Sequence, residues 1–223
     1  MRFGRSWGRL GMRSKLSDIC DYVKEKVDVS DLDNSNYVST ENMVPNKGGV
    51  TTATTLPSLN QTQQYRENDV LVSNIRPYFK KIWFATKNGG CSNDVLVFRA
   101  KNGIAPRYLY YVLSSDVFFN YSMATSRGTK MPRGDKKAIM QYEVPNFEYN
   151  IQIKIVNILS IIDKRITINE EINKNLRDCS KQRSAPHKTV VINVPTGRRV
   201  VHLTHAIVPA ANDRLQDTWD CAA

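Results

Sequence analysis

The sequence predicts an α+β chain: a compact, mainly antiparallel β-rich domain with short helices, followed by one long coiled-coil-like helix. Two observations carry that class. Between Asp69 and Phe98, three runs of Val, Ile, Leu and aromatic residues are closed by Gly, Pro or Asn, as short strands joined by tight turns require. From Tyr149 to Leu176 there is no Gly or Pro, and Ile155, Leu159, Ile162, Ile166, Asn169, Asn173 and Leu176 follow steps of four and three. A third observation concerns charge. The net charge is +11, but residues 16–72 carry 4 basic and 9 acidic residues, whereas residues 73–137 carry 12 basic and 3 acidic. A basic excess confined to one central region points to a polyanionic partner; a generic solvated surface mixes signs more evenly.

In chain order, residues 1–15 read as a basic, irregular start. Lys15–Val27 offers a short strand or helix, and Asp28–Asn36 is polar and turn-forming. Tyr37–Met43 reads as a strand before the loop Pro45–Gly49, and Thr51–Gln64 as a polar surface or loop. Strands follow at Asp69–Ile75, Lys81–Thr86 and Asp94–Phe98, with a turn at Asn88–Gly90. Pro106 opens a helix over Arg107–Ser114, and Asp116 is a cap candidate for Val117–Ala124. Thr125–Asp135 is an exposed glycine-rich loop, with Asp135 placed to cap Lys136–Gln141. The helix over residues 149–176 is about 40 Å long at 1.5 Å per residue. Isoleucine is a poor intrinsic helix former, so burial against a partner helix must supply most of its stability. Asn169 on the stripe can fix register. Residues 177–223 form a tail of unassigned role with β-prone pieces at Val190–Val194 and Val200–Leu203.

Several chemistries find no support. Cys20, Cys91, Cys179 and Cys221 form no CxxC pair, and His202 and His205 lack nearby Cys or acidic ligands, so no metal centre is predicted. No Gly-x-Gly loop follows a strand, so no nucleotide or methyl-donor cofactor site is expected. No apolar run reaches membrane-spanning length and no h-region follows the basic start, which suits a cytoplasmic protein.

The order of parts is itself a motif. Strands of the form Asn68-Asp-Val-Leu-Val-Ser-Asn-Ile-Arg-Pro-Tyr-Phe-Lys-Lys-Ile-Trp-Phe-Ala85 come first. A Gly-Thr loop (Gly128, Thr129, Lys130) and a Val-Pro exit (Val144, Pro145) follow. A helix of the Gln-x-x-Ile-x-x-x-Leu-x-x-Ile-Asp type (Gln152, Ile155, Leu159, Ile162, Asp163) closes the series. Over residues 15–176 this order resembles the specificity subunit of Type I DNA restriction-modification enzymes. The resemblance implies a non-catalytic, cofactor-free subunit with a target recognition domain (residues 16–148) that docks on duplex DNA. It implies that the helix (residues 149–176) is a spacer and a platform for methyltransferase subunits, with the restriction subunit a further candidate partner. Family members usually carry two recognition domains and two antiparallel helices; this sequence carries one of each, a half-length form. Two copies paired through Ile155, Leu159, Ile162, Ile166, Asn169, Ile172 and Leu176 would supply the second set.

Two basic segments with aromatic neighbours are the candidate DNA contacts: Asn74, Arg76, Tyr78, Lys80 and Lys81, and Arg127, Lys130, Arg133, Lys136 and Lys137. Lysine and arginine reach phosphates, arginine forks also read guanine, and Asn74 or Gln141 can read adenine. Tyr78, Trp83, Tyr110 and Phe118 read as core or platform residues rather than base-stacking groups. The rival class is a metal-dependent nuclease built on Asp116 and the Asp135-x-Lys137 pattern, although both acids have cheaper explanations as helix caps. A coiled-coil assembly protein without DNA contact explains the helix but not the central positive charge.

Overall fold

A computed structural model of the chain describes the backbone of residues 12–183, 189–194 and 197–202, with side chains from 13 to 178. The predicted irregular start lies outside this range up to residue 11, as do the side chains of the tail histidines and of Cys179 and Cys221. The chain divides into two compact units, residues 1–164 and 165–223.

In chain order the first elements are β1 (Met12–Lys15), α1 (Leu16–Ile19), β2 (Cys20–Tyr22), β3 (Lys26–Asp28), β4 (Tyr37–Val38), β5 (Gln61–Tyr65) and β6 (Val70–Ser73). Then come β7 (Ile82–Phe84), β8 (Gly89–Cys91), β9 (Val95–Ala100), α2 (Pro106–Leu113), α3 (Asp116–Ala124), α4 (Lys136–Ile139) and β10 (Glu143–Asn146). The long helix α5 (Tyr149–Arg183) and the strands β11 (Thr189–Val194) and β12 (Gly197–His202) complete the series.

Two four-stranded sheets build the first unit. One runs β2-β9-β6-β7, antiparallel throughout, and the other runs β3-β5-β8-β4, where only the β4–β8 pair is parallel. Side chains alternate across a strand, and here the alternation divides two cores. Val70, Val72, Leu96 and Phe98 join Leu109, Leu113, Phe118, Phe119 and Ile139 from the helices. Leu71, Val95 and Val97 pack with Val38, Tyr65 and Cys91 from the second sheet. Strands β6 and β9 are therefore covered on both faces, which is why they read as continuous apolar runs. Burial pushes the Cys20 and Cys91 thiols up to about 12, so both stay protonated and inert at neutral pH.

Several elements differ from the sequence reading. Gly89 and Gly90 form strand β8 instead of a turn. A β-carbon on Gly89 would run into the Asn36 carbonyl and the Tyr65 ring, and one on Gly90 into Leu32 and Thr62, so only glycine permits this close pairing. Strand β5 is polar because Gln61, Gln63 and Gln64 are outside the core while Thr62 and Tyr65 are buried. The strand expected over Tyr37–Met43 stops at Val38. Its continuation is a turn held by Asn42, whose side chain accepts from the Ser39 N–H and donates to the carbonyls of Tyr37 and Thr51. Residues 12–15, expected to be irregular, pair antiparallel with β10. Ser115, not Asp116, caps α3, accepting from the Phe118 N–H at 3.2 Å.

Helix α5 is anchored at its first turn. Gln152 is fully buried; its Oε1 accepts from the Ala105 N–H at 2.9 Å and its Nε2 donates to the Phe147 carbonyl at 2.7 Å. Tyr111 donates to Asp163 Oδ2 at 2.7 Å, within the first unit. Ile155 and Leu159 are half-buried. In the second unit α5 continues to Arg183, beyond the expected end at Leu176, and β11 and β12 pair as an antiparallel hairpin. Among the described residues no helix is long and apolar enough to cross a membrane.

Candidate nucleic-acid interface

The end of β6 organises the site. The Asn74 N–H donates to the Asp94 carbonyl at 2.8 Å, and the Asn74 carbonyl accepts from the Gly134 N–H at 3.1 Å. The Arg76 N–H donates to the Pro132 carbonyl at 2.8 Å, and Ile75 pairs antiparallel with Arg133. Arg127 and Arg133 exchange two backbone hydrogen bonds of 2.9 Å. The glycine-rich loop is thus a short ribbon laid along residues 74–76, and the two predicted basic segments form one ridge. A third segment joins it. The Asn46 N–H donates to the Phe79 carbonyl at 2.8 Å and the Lys47 N–H to the Lys80 carbonyl at 2.9 Å. Asn46, Lys47, Arg76 and Lys80 all have left-handed backbone, with φ of 55°, 64°, 50° and 51°. Such residues cost roughly 1–3 kcal/mol each and persist only where surrounding bonds hold them, as the inter-loop bonds do here.

The side chains on this ridge fall into three groups. Lys130, Lys136 and Lys137 are exposed and make no ion pair among the described residues. Lys80, Arg127 and Arg133 are paired: Lys80 with Asp116 at 3.1 Å, Arg127 with Asp135 at 3.0 Å and Arg133 with Asp94 at 3.1 Å. Asn74, Arg76 and Lys81 are less exposed, Arg76 and Lys81 being half-buried. Asn74 is buried, and its Oδ1 and the Arg76 Nε are buried without a protein partner. Lys81 Nζ donates to the Thr40 carbonyl at 2.6 Å and lies 5.8 Å from the Phe79 ring centroid; burial lowers its pKa. Tyr78 and Phe79 are exposed with ring centroids 4.6 Å apart, available as a platform. Phe118 lies in the core, Trp83 packs edge-on against Tyr65, and Tyr110 meets Phe84 edge-to-face beneath the Arg107 guanidinium.

Lys47 is a ridge residue that the sequence reading missed. Its Nζ reaches Asp116 Oδ1 at 3.0 Å, so one carboxylate faces two lysines. The hydrogen bonds from Lys47 and then Lys80 hold the Asp116 carboxyl below its ordinary range. Its only local signal was a polar Asn-Lys-Gly-Gly turn with no basic neighbour. A polar cavity of about 370 Å³, lined by Ser39, Thr40, Glu41, Asn42, Thr51 and Asp94 among others, adjoins the ridge through the Asp94–Arg133 pair. The two carboxylates of the nuclease reading are both engaged. Asp116 lies between the lysines, and Asp135 Oδ1 accepts from the N–H groups of Lys137 and Ala138 as the cap of α4. Among the described residues no group of three or more Cys, His, Asp or Glu is placed to hold a metal ion.

No curated protein sequence matches the chain. Among solved structures it is similar to the HsdS subunit from Thermoanaerobacter tengcongensis, with a TM-score of 0.59 at 20% identity, covering 78% of this chain and 47% of that one. It is also similar to a chain from a structure described as bearing on complex assembly and conformational transition of the type I R-M system, with a TM-score of 0.57 at 20% identity, covering 85% and 53%. At that identity the likeness concerns the fold, which the three share, and this chain spans about half the length of either. The sequence family described as the Type I restriction modification DNA specificity domain matches residues 12–178. The chain therefore belongs to the Type I restriction-modification DNA specificity family.

Proposed function

We propose that this chain is the DNA sequence-recognition subunit of a Type I restriction-modification complex, binding duplex DNA through the ridge and docking methyltransferase subunits on α5. The observation that carries the reading is the joining of residues 74–76 to 132–134, which makes one basic surface from segments distant in sequence. Three lysines without an ion pair among the described residues supply phosphate contacts, and the paired arginines sit on fixed backbone where base edges can be read. The chain itself performs no chemistry in this proposal; methyl transfer and any cleavage belong to partner subunits. The apolar stripe of α5 favours assembly: Ile162, Ile166, Ile172 and Leu176 are 48%, 50%, 49% and 63% exposed. A second copy, pairing antiparallel through Ile155, Leu159, Ile162, Ile166, Asn169, Ile172 and Leu176, would cover them.

Duplex binding measured against salt tests the proposal. Affinity falls steeply with added salt because phosphate neutralisation releases counterions. Replacing Lys130, Arg133 and Lys137 by Ala weakens binding and flattens the slope by about two, one for each of the two phosphate-contacting lysines removed. Unchanged binding by that variant moves the site elsewhere, and no binding by the complex overturns the proposal.

A further inference from the structure

The basic side chains of the ridge are not equivalent, and Arg133 stands apart. Its N–H and carbonyl are both bonded to Arg127, it pairs with Ile75 on the other side, and its neighbours Pro132 and Gly134 are bonded to Arg76 and Asn74. Its backbone is thus held on both edges, whereas Arg127 is held on one. Its guanidinium is held as well: Nη2 lies 3.1 Å from Asp94 Oδ1, while its side chain remains 57% exposed. Asp94 is tied to the same frame, because its carbonyl accepts from the Asn74 N–H. Nε and Nη1 of Arg133 have no acceptor among the described residues. Asn74 therefore ties together the backbones that carry Asp94 and Arg133, and the ion pair links their side chains.

A phosphate and a base edge place opposite demands on such a pair. An adjacent carboxylate repels a phosphate and offsets the charge that would attract it. It repels the uncharged O6 and N7 acceptors of guanine far less, and it biases the guanidinium fork toward one orientation for bidentate contact. Lys130, Lys136 and Lys137, with no carboxylate paired to them, suit phosphates better.

We infer that Arg133, braced by Asp94, is a specificity-determining residue that reads a guanine in the major groove, while the three lysines hold the backbone. The inference rests on the DNA-reading function proposed above. It is tested by selecting bound sequences from a randomised duplex library with the full chain and the subunits that purify with it. The wild type selects a set containing a fixed guanine. In Arg133→Lys, which keeps the charge but loses the fork, preference at that one position falls by roughly 10- to 100-fold, the other positions persist, and affinity for random duplex is retained. Asp94→Asn, which removes the brace and keeps the shape, weakens preference at the same position only. Lys137→Ala lowers affinity for all sequences alike. Selectivity unchanged at every position in Arg133→Lys overturns the inference alone, as does loss at every position at an unchanged melting temperature. A wild-type complex that binds no duplex overturns the DNA-reading function itself.

Discussion

Asp116 is the ridge carboxylate that faces two lysines at once. It lies 3.0 Å from Lys47 and 3.1 Å from Lys80 and is itself exposed. Its pKa is lowered, so the pairs are intact at neutral pH and are lost as pH falls through the acid range; they do not titrate between pH 6 and 8. Asp116→Asn leaves both ammonium groups free for phosphates. Duplex affinity is expected to rise at low salt and the log–log salt slope to steepen by about one, read by fluorescence anisotropy, with little change in melting temperature. A weaker-binding variant would show instead that Asp116 shapes the loop. Asp135 behaves differently, because its Oδ1 serves the backbone of α4 as a cap and its Oδ2 faces Arg127.

At the scale of elements, α5 depends on two kinds of contact. Its first turn is fixed by Gln152, which joins the helix to the loop before α2 and to the chain leaving β10. Gln152→Leu strands the buried Ala105 N–H and the part-buried Phe147 carbonyl. Each such group costs about 1–3 kcal/mol, so urea unfolding should show a loss of several kcal/mol despite the added apolar area. Farther along, the helix presents half-exposed isoleucines that its own unit does not cover, Ile158, Ile161 and Ile162 among them. Replacing Ile162 and Ile166 by Glu should abolish self-association, at a cost on the order of several kcal/mol in a buried seam, with the β-rich domain still folded. Light scattering on the unmutated chain decides the premise: a monomer at micromolar concentration, without partners, removes self-pairing and assigns the stripe to a different subunit.

At the scale of the molecule, the net charge of +11 becomes informative through its placement. The ridge gathers basic side chains from three loops, while the acidic N-terminal part of the domain contributes Lys47 alone. A surface of this kind suits a polyanion. The isolated chain is expected neither to methylate nor to cut DNA when supplied with magnesium and a methyl donor. Magnesium-dependent cleavage that disappears in Asp135→Ala would reinstate the nuclease reading. Because the chain spans about half the length of the solved chains it resembles, mass measurement with and without partner subunits establishes which assembly carries the function.

The sequence by itself determined the α+β class, strands β6, β7 and β9, helices α2, α3 and α5, the cap at Asp135 and the two basic segments. These are written in local periodicity, turn residues and charge, which act over a few neighbouring positions. What only the tertiary structure decided depends on distant backbone meeting. Polar β5 and glycine-built β8 became strands because neighbours approach closely enough to pair with them, and residues 12–15 because β10 lies alongside. The two basic segments became one ridge because Asn74 and Arg76 found their hydrogen-bond partners at Gly134 and Pro132. Lys47 joined it through Lys80, and the Lys81 ammonium turned to the Thr40 carbonyl. Which lysine faces solvent is settled by packing among residues tens of positions apart, and no local pattern carries that information.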